Sequence, residues 1–136
     1  MIRPIVRDVF FLGQKSQAAG PGDLAVGRDL QDTLRANRDR CAGMAANMIG
    51  VRRRVIVVGV GPAELVMYNP VILGRDTPYE AEEGCLSLDG VRRTTRDRNI
   101  EVSYSDAGWH KRRQAFSGWI AQVIQHEVDH LDGIVI

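Results

Sequence analysis

The spacing of apolar residues changes period along the chain, and each change marks an element. Gly20-Pro21-Gly22-Asp23 interrupts the chain and offers Asp23 as an N-cap, after which Val26, Leu30 and Leu34 recur every fourth residue. That spacing predicts a helix from about Asp23 to Arg38 with one buried stripe. From Arg54 the pattern becomes β-branched and apolar in the runs VIVVGV, LVMYN and VIL, punctuated by Gly59-Val60-Gly61-Pro62 and Asn69-Pro70. These read as short strands of an antiparallel sheet. The Gly-Val-Gly piece is a hairpin turn rather than a phosphate loop, because no GxGxxG completes it and a proline follows. Ile100 to Tyr104 alternate like a half-buried strand, Asp106-Ala107-Gly108 turn, and Gln114-Ala115-Phe116 return antiparallel. Helical spacing then resumes, with Ile120, Ile124 and Val128 on one stripe that runs into His126-Glu127-Val128-Asp129-His130. The predicted class is α+β.

Composition adds bounds rather than direction. A chain of 136 residues with 44% apolar and 26% charged residues reads as one domain, residues 1–136, large enough to bury a core without disulfides. The formal net charge of +1 gives no electrostatic reason to expect direct nucleic-acid binding or a membrane surface. No apolar run approaches the roughly 18–20 residues of a membrane span. No secretory leader is evident either, so a cytoplasmic location is expected. In a reducing compartment Cys41 and Cys85 are read separately, Cys41 as a packed thiol beside Ala-Gly-Met-Ala-Ala. Arg52-Arg53-Arg54 and the group Arg92, Arg93, Arg96 and Arg98 read as solvated loop charge, with one exception below.

The chemistry concentrates in the last helix. Residues four apart share a helix face, so His126 and His130 can aim imidazole nitrogens at one cation. Glu127, about 100° round the helix from His126, lies beside such an ion, where it can accept a proton from water. A catalytic ion needs a third protein ligand and an open position. Cys85 stands out for this, because Gly84 lets the backbone come close and Ser87 follows.

Three motifs then occur in order: Cys41-Ala42-Gly43-Met44-Ala45-Ala46-Asn47-Met48-Ile49-Gly50, Glu83-Gly84-Cys85-Leu86-Ser87 and His126-Glu127-Val128-Asp129-His130. Over essentially the whole chain this resembles the peptide deformylase family. The resemblance implies antiparallel strands around a central HExDH helix, with an N-terminal helix and no C-terminal extension. It implies Cys85, His126 and His130 as ligands of one divalent metal ion, with Fe(II) native and Zn, Ni or Co able to occupy the site, and Glu127 as catalytic acid/base. The implied reaction is hydrolysis of the N-formyl group from N-formylmethionyl nascent peptides at the ribosome exit, by water that the ion activates. The implied oxyanion donors are the backbone N–H of Leu86 and the amide of a glutamine in the first motif.

That glutamine is Met48 here, and Cys41 stands where the family has glycine. A thioether has no N–H, and losing one such donor costs about 10²–10³ in turnover. Asn47 carries an amide, but its neighbour position normally points elsewhere. Gly43, Met44, Ala45, Trp119 and Val123 are the expected substrate-binding residues, with core filling as the alternative for Trp119. Glu83 is expected to pair with Arg92 or Arg96 from the following loop, and Asp129 to orient a ligand. Alternatives remain open: a slow or inactive metal-binding relative, or a metallohydrolase of other N-acyl peptides.

Overall fold

Alternation along one strand decides how the layers stack. In strand β2 (Val55–Val60), Ile56 and Val58 face one side and Val55 and Val57 the other, and all four are fully buried. Both faces of the sheet are therefore covered. Helix α3 (Gly118–Leu131) packs against the Ile56 side, and helix α2 (Leu24–Ala36) against the Val55 side. The structure is a computed structural model that describes residues 1–134. Its remaining strands are β1 (Gly43–Ala45), β3 (Ala63–Cys85), β4 (Leu88–Ser105) and β5 (Lys111–Ser117), and a four-residue helix, α1 (Val9–Leu12), precedes α2. The sheet runs β1-β2-β3-β4-β5, antiparallel at every step. Short 3₁₀ turns occupy Pro21–Asp23 and Ala46–Ile49.

Helix α2 keeps the expected stripe, with Leu30 and Leu34 fully buried and Val26 partly so. Asp23 takes the N-cap position, but its carboxylate accepts from Gly20 N at 2.9 Å and so ties the preceding 3₁₀ turn instead. At the other end Asn37 donates to Thr33 O at 2.7 Å, satisfying a carbonyl that the helix leaves open.

Two expected strands prove to be one. Asn69-Pro70 does not end the run; β3 continues through an irregularity between Tyr68 and Val71. Asparagine adopts φ 53° there at low cost, and the missing proline N–H falls where the ladder is already interrupted. The Asn69 side chain also bonds Ala19 N and O, at 2.8 and 2.9 Å. The arginine run 92–98 is likewise strand rather than loop. It belongs to a long β3–β4 hairpin exposed on most positions of both faces, so no apolar alternation announces it.

Helix α3 is fixed along its length. Ala121, Ile124, Val128 and Leu131 pack with Met67, Val102 and Phe116. Gln125, buried, accepts from Asp97 N at 2.9 Å and donates to Asp97 O at 2.8 Å, locking the helix to β4. Its last carbonyls are taken by Asn47 Nδ2 on His130 O and Ser16 N on Leu131 O, both at 2.8 Å. No helix among the described residues is long and apolar enough to cross a membrane.

Helix α2 meets the sheet closely at Gly27, where an added Cβ would lie 1.9 Å from the Tyr68 hydroxyl and 2.9 Å from Val66 Cγ1. Alanine normally stabilises a helix by about 1 kcal/mol over glycine. Here overpacking should outweigh that gain, and Gly27→Ala is expected to lower stability by about 1–3 kcal/mol in urea unfolding, with the Tyr68–Leu24 hydrogen bond lost.

Candidate active site

The second motif forms a distorted hairpin end. The β3–β4 register shifts between Glu83 and Cys85, and Leu86-Ser87 then make a two-residue turn before Leu88 pairs back with Cys85. A bulge of this kind re-aims the side chain that follows. It brings Cys85 Sγ to 3.4 Å from His130 Nε2. His126 and His130, one turn apart, have ring centroids 5.0 Å apart. Ligand atoms of Cys85, His126 and His130 all lie within 4.8 Å of one another. Ser87 N donates to Cys85 Sγ at 3.4 Å, a contact that holds the sulfur in place at the turn.

A buried ion network orients one of the rings. His126 Nδ1 lies 2.8 Å from Glu83 Oε1, which leaves Nε2 as the nitrogen free to join Cys85 and His130. Glu83 in turn accepts from Arg96 Nε at 3.0 Å and Nη2 at 2.7 Å, and Arg96 Nη1 bonds Asp129. Burial works to raise the Glu83 carboxyl, but hydrogen bonds from His126 and Arg96 hold it down to about 2. Of the two arginines expected, the partner is Arg96; Arg92 lies opposite Glu83 in the ladder but is exposed.

Glu127 sits 3% exposed, and its Oε1 has no hydrogen-bond partner among the described residues. Burial raises its carboxyl to about 7, the range a proton-transfer group needs near neutrality. It lines a cavity of about 740 Å³ together with Gly43, Met48, Cys85, Leu86, Trp119, Val123 and His126. His130 lies behind this wall, 1% exposed.

Several expectations need correction. Met44 and Ala45 do not line the cavity; both are fully buried. Alternation along β1 turns Met44 toward the α2 side, where it joins Leu30 and Leu34, while Ala45 packs in the α3-side core. Trp119 is 67% exposed at the cavity rim, so it does not fill core. Gly43 is required by contact, since a Cβ there would lie 2.6 Å from Val123 Cγ1 and 3.3 Å from Glu127 Cγ. Cys41 reaches the cavity, where its thiol donates to Gly43 O at 2.7 Å. Burial, helped by the Glu127 charge, pushes that thiol up to about 12 and keeps it protonated. Arg38, Arg40 and Gln122 also line the cavity. They lie in segments whose hydrophobic period carries no sign of a distant partner.

The first-motif departure takes a definite form. Met48 is 1% exposed, and its Sδ accepts from Ala45 N at 3.4 Å. Asn47, whose amide is committed to His130 O, offers no replacement donor to the cavity.

Residues 15–136 match the family model for polypeptide deformylase. The chain belongs to the peptide deformylase family. It is 55% identical over its whole length to a peptide deformylase of Clostridium beijerinckii, which it also covers completely. It superposes with a TM-score of 0.89 on a Met-Ala-Ser-bound class I type b peptide deformylase from Acinetobacter baumannii, at 26% identity, covering 99% of this chain and 97% of that one. A peptide deformylase from Thermotoga maritima matches with a TM-score of 0.87 at 28% identity, over 99% of this chain and 94% of the other. Membership in the peptide deformylase family makes the chain a hydrolase that removes formyl groups from nascent peptides, and the family works with a metal ion.

Removing Arg96 should show how much the site depends on the ion network. Arg96→Met leaves Glu83 and Asp129 without their cation, and breaking a buried pair this way costs about 3–5 kcal/mol. The expected result is a clearly lower unfolding midpoint in thermal denaturation, together with weaker retention of bound metal.

Proposed function

We propose that Cys85, His126 and His130 hold a single divalent ion, natively Fe(II), and that Glu127 is the acid/base for hydrolysis of formylmethionyl peptides. One observation carries the reading: a thiol and two imidazoles converge within 4.8 Å beside a buried carboxylate oxygen that has no hydrogen-bond partner among the described residues. The donor set fits the ion, since one soft thiolate and two imidazoles suit first-row divalent metals. The surroundings fit as well. Burial works against charge on His126, yet Glu127, Cys85 and Glu83 raise its pKa to about 10, a local field that favours a cation.

An ion bound there would supply polarisation of the formyl carbonyl and of water. The protein supplies the rest. Glu127 takes the proton from the attacking water and returns it to the departing amine, a role suited to its raised pKa. The Leu86 N–H is the donor for the oxygen on which charge develops. Met48, without an N–H, contributes shape there but no hydrogen bond. β1 is an edge strand of the sheet and Gly43 reaches the cavity wall, so the substrate backbone can extend the sheet along it. Val123 and Trp119 wall the methionine side chain. The substrates would be nascent chains at the ribosome exit, in the cytoplasm.

A second reading, a slow or idle relative, is favoured by Met48 and by the commitment of Asn47 elsewhere. Formate release from formyl-Met-Ala-Ser by iron-loaded protein, prepared without oxygen, separates the two. Wild type should turn over, and Glu127→Ala should lose about 10²–10⁴ in kcat. Met48→Gln should be at least about tenfold faster if the missing donor limits the rate. Formate release no higher than that of Glu127→Ala would leave the idle reading. Independently, Cys85→Ser should lower the bound ion per chain measured by elemental analysis; unchanged stoichiometry would remove Cys85 from the ligand set.

A further inference from the structure

The segment before residue 15 lies outside the stretch matched by the family model, yet it bonds to both sides of the cavity. Val6 N donates to Met48 O at 2.8 Å. The next residue, Arg7, sends Nη1 to Leu86 O at 2.9 Å and Nη2 to Asp89 Oδ1 at 2.7 Å. Two consecutive residues thus join the first motif to the turn of the second. The strap has a firm base, because Leu12 is fully buried and Ile5 and Val6 pack against the α2-side core.

Apart from Arg7, the turn is held by the Cys85–Leu88 pairing, by Ser87 N on Cys85 Sγ and by Leu86 packing on the α2-side core. It follows a register shift at Gly84 and precedes Gly90, which sits at φ +81°; a Cβ at Gly84 would find its nearest neighbour only at 3.5 Å. Glycines on both sides give the backbone wide freedom. A guanidinium that binds a backbone carbonyl and a carboxylate together fixes direction as well as distance.

We propose that Arg7 is a positioning residue for deformylation: by gripping Leu86 O and Asp89 it holds the Cys85–Leu88 turn so that the Leu86 N–H meets the developing oxyanion. This rests on the reading of Leu86 as the oxyanion donor given above. Arg7 matters here because Met48 leaves that N–H without a second donor to share the load. Catalysis by such a group depends on its placement, and a shift of about 1 Å can cost about 10²-fold.

The test compares iron-loaded wild type with Arg7→Met and Arg7→Lys in the full chain. Arg7→Met should lower kcat for formyl-Met-Ala-Ser about tenfold. KM should stay within about twofold, as befits an interaction made only in the transition state. An exposed ion pair adds little to global stability, so the unfolding midpoint and bound iron should not change. Amide hydrogen exchange at Leu86 and Ser87 should quicken by about fivefold or more while α3 is unaffected. Arg7→Lys, keeping one contact, should recover part of kcat. In a Met48→Gln background the effect of Arg7→Met should shrink, because a second donor then shares the charge.

Unchanged kcat in Arg7→Met overturns the proposal, and so does unchanged exchange in the turn. A kcat loss that tracks lost iron or a lowered midpoint overturns it as well, since Arg7 would then be merely structural. Absence of formate release by wild type would instead defeat the functional reading. The exchange measurement would still decide whether Arg7 holds the turn.

Discussion

The buried carboxylate of Glu83 ties the hairpin to the helix. It lies two residues before Cys85 on β3 and meets His126 Nδ1 from α3, so one group sets the orientation of a histidine and the approach of the strand that carries the thiol. Such a charge is costly to bury unless each oxygen is occupied. Arg96 meets that need from β4 and carries the link on to Asp129, back on α3. The loop of contacts closes from β3 to β4 to α3 and back to β3. The ring nitrogen left free on His126 is therefore decided by a partner more than 40 residues away, as ligand histidines are generally fixed by what holds their other nitrogen.

That network works only because the helix bearing it cannot slide. Gln125 anchors the middle of α3 to Asp97, and Asn47 and Ser16 take the carbonyls of His130 and Leu131. Apolar packing sets the depth of the helix, while these polar bonds set its rotation and axial position. The crowding of Gly43 on Val123 and Glu127 shows how closely the first motif is drawn in as a result.

The parts legible in the sequence are those governed by local periodicity or by a specific motif. The α2 and α3 stripes and the hairpin around residues 106–110 emerge from spacing, and the β2 run emerges from its unbroken β-branched stretch, which is buried on both faces. The outer β3–β4 hairpin does not, because it is held by its backbone ladder and has polar residues on both faces. Met44 is misplaced for a related reason. A three-residue strand is too short to display its alternation, and the face of Met44 is settled only by pairing with β2. The family motifs point to the segments that meet, but not to Arg96 over Arg92. The two lie four apart on the same side of β4, so the choice depends on which of them sits level with α3, where Arg96 meets Asp129, and four arginines in seven residues make every register look plausible.

Met48 shows what the first motif has gained in return for its missing amide. The side chain is buried with Met44, Ala46 and Ile49 in the α2-side cluster, and its sulfur takes the Ala45 N–H that opens the 3₁₀ turn. A glutamine in the same place would have to bury an amide against apolar neighbours unless the amide turned into the cavity that Met48 lines. The thioether escapes that conflict. It satisfies the turn with a weak acceptor and fills volume without a polar group to solvate. Local stability and transition-state binding thus make opposite demands on one position, a common tension at active sites. The first motif of this chain is resolved toward stability, and on the function proposed above charge stabilisation then falls to the Leu86 turn and to the ion that the thiol and imidazoles would hold.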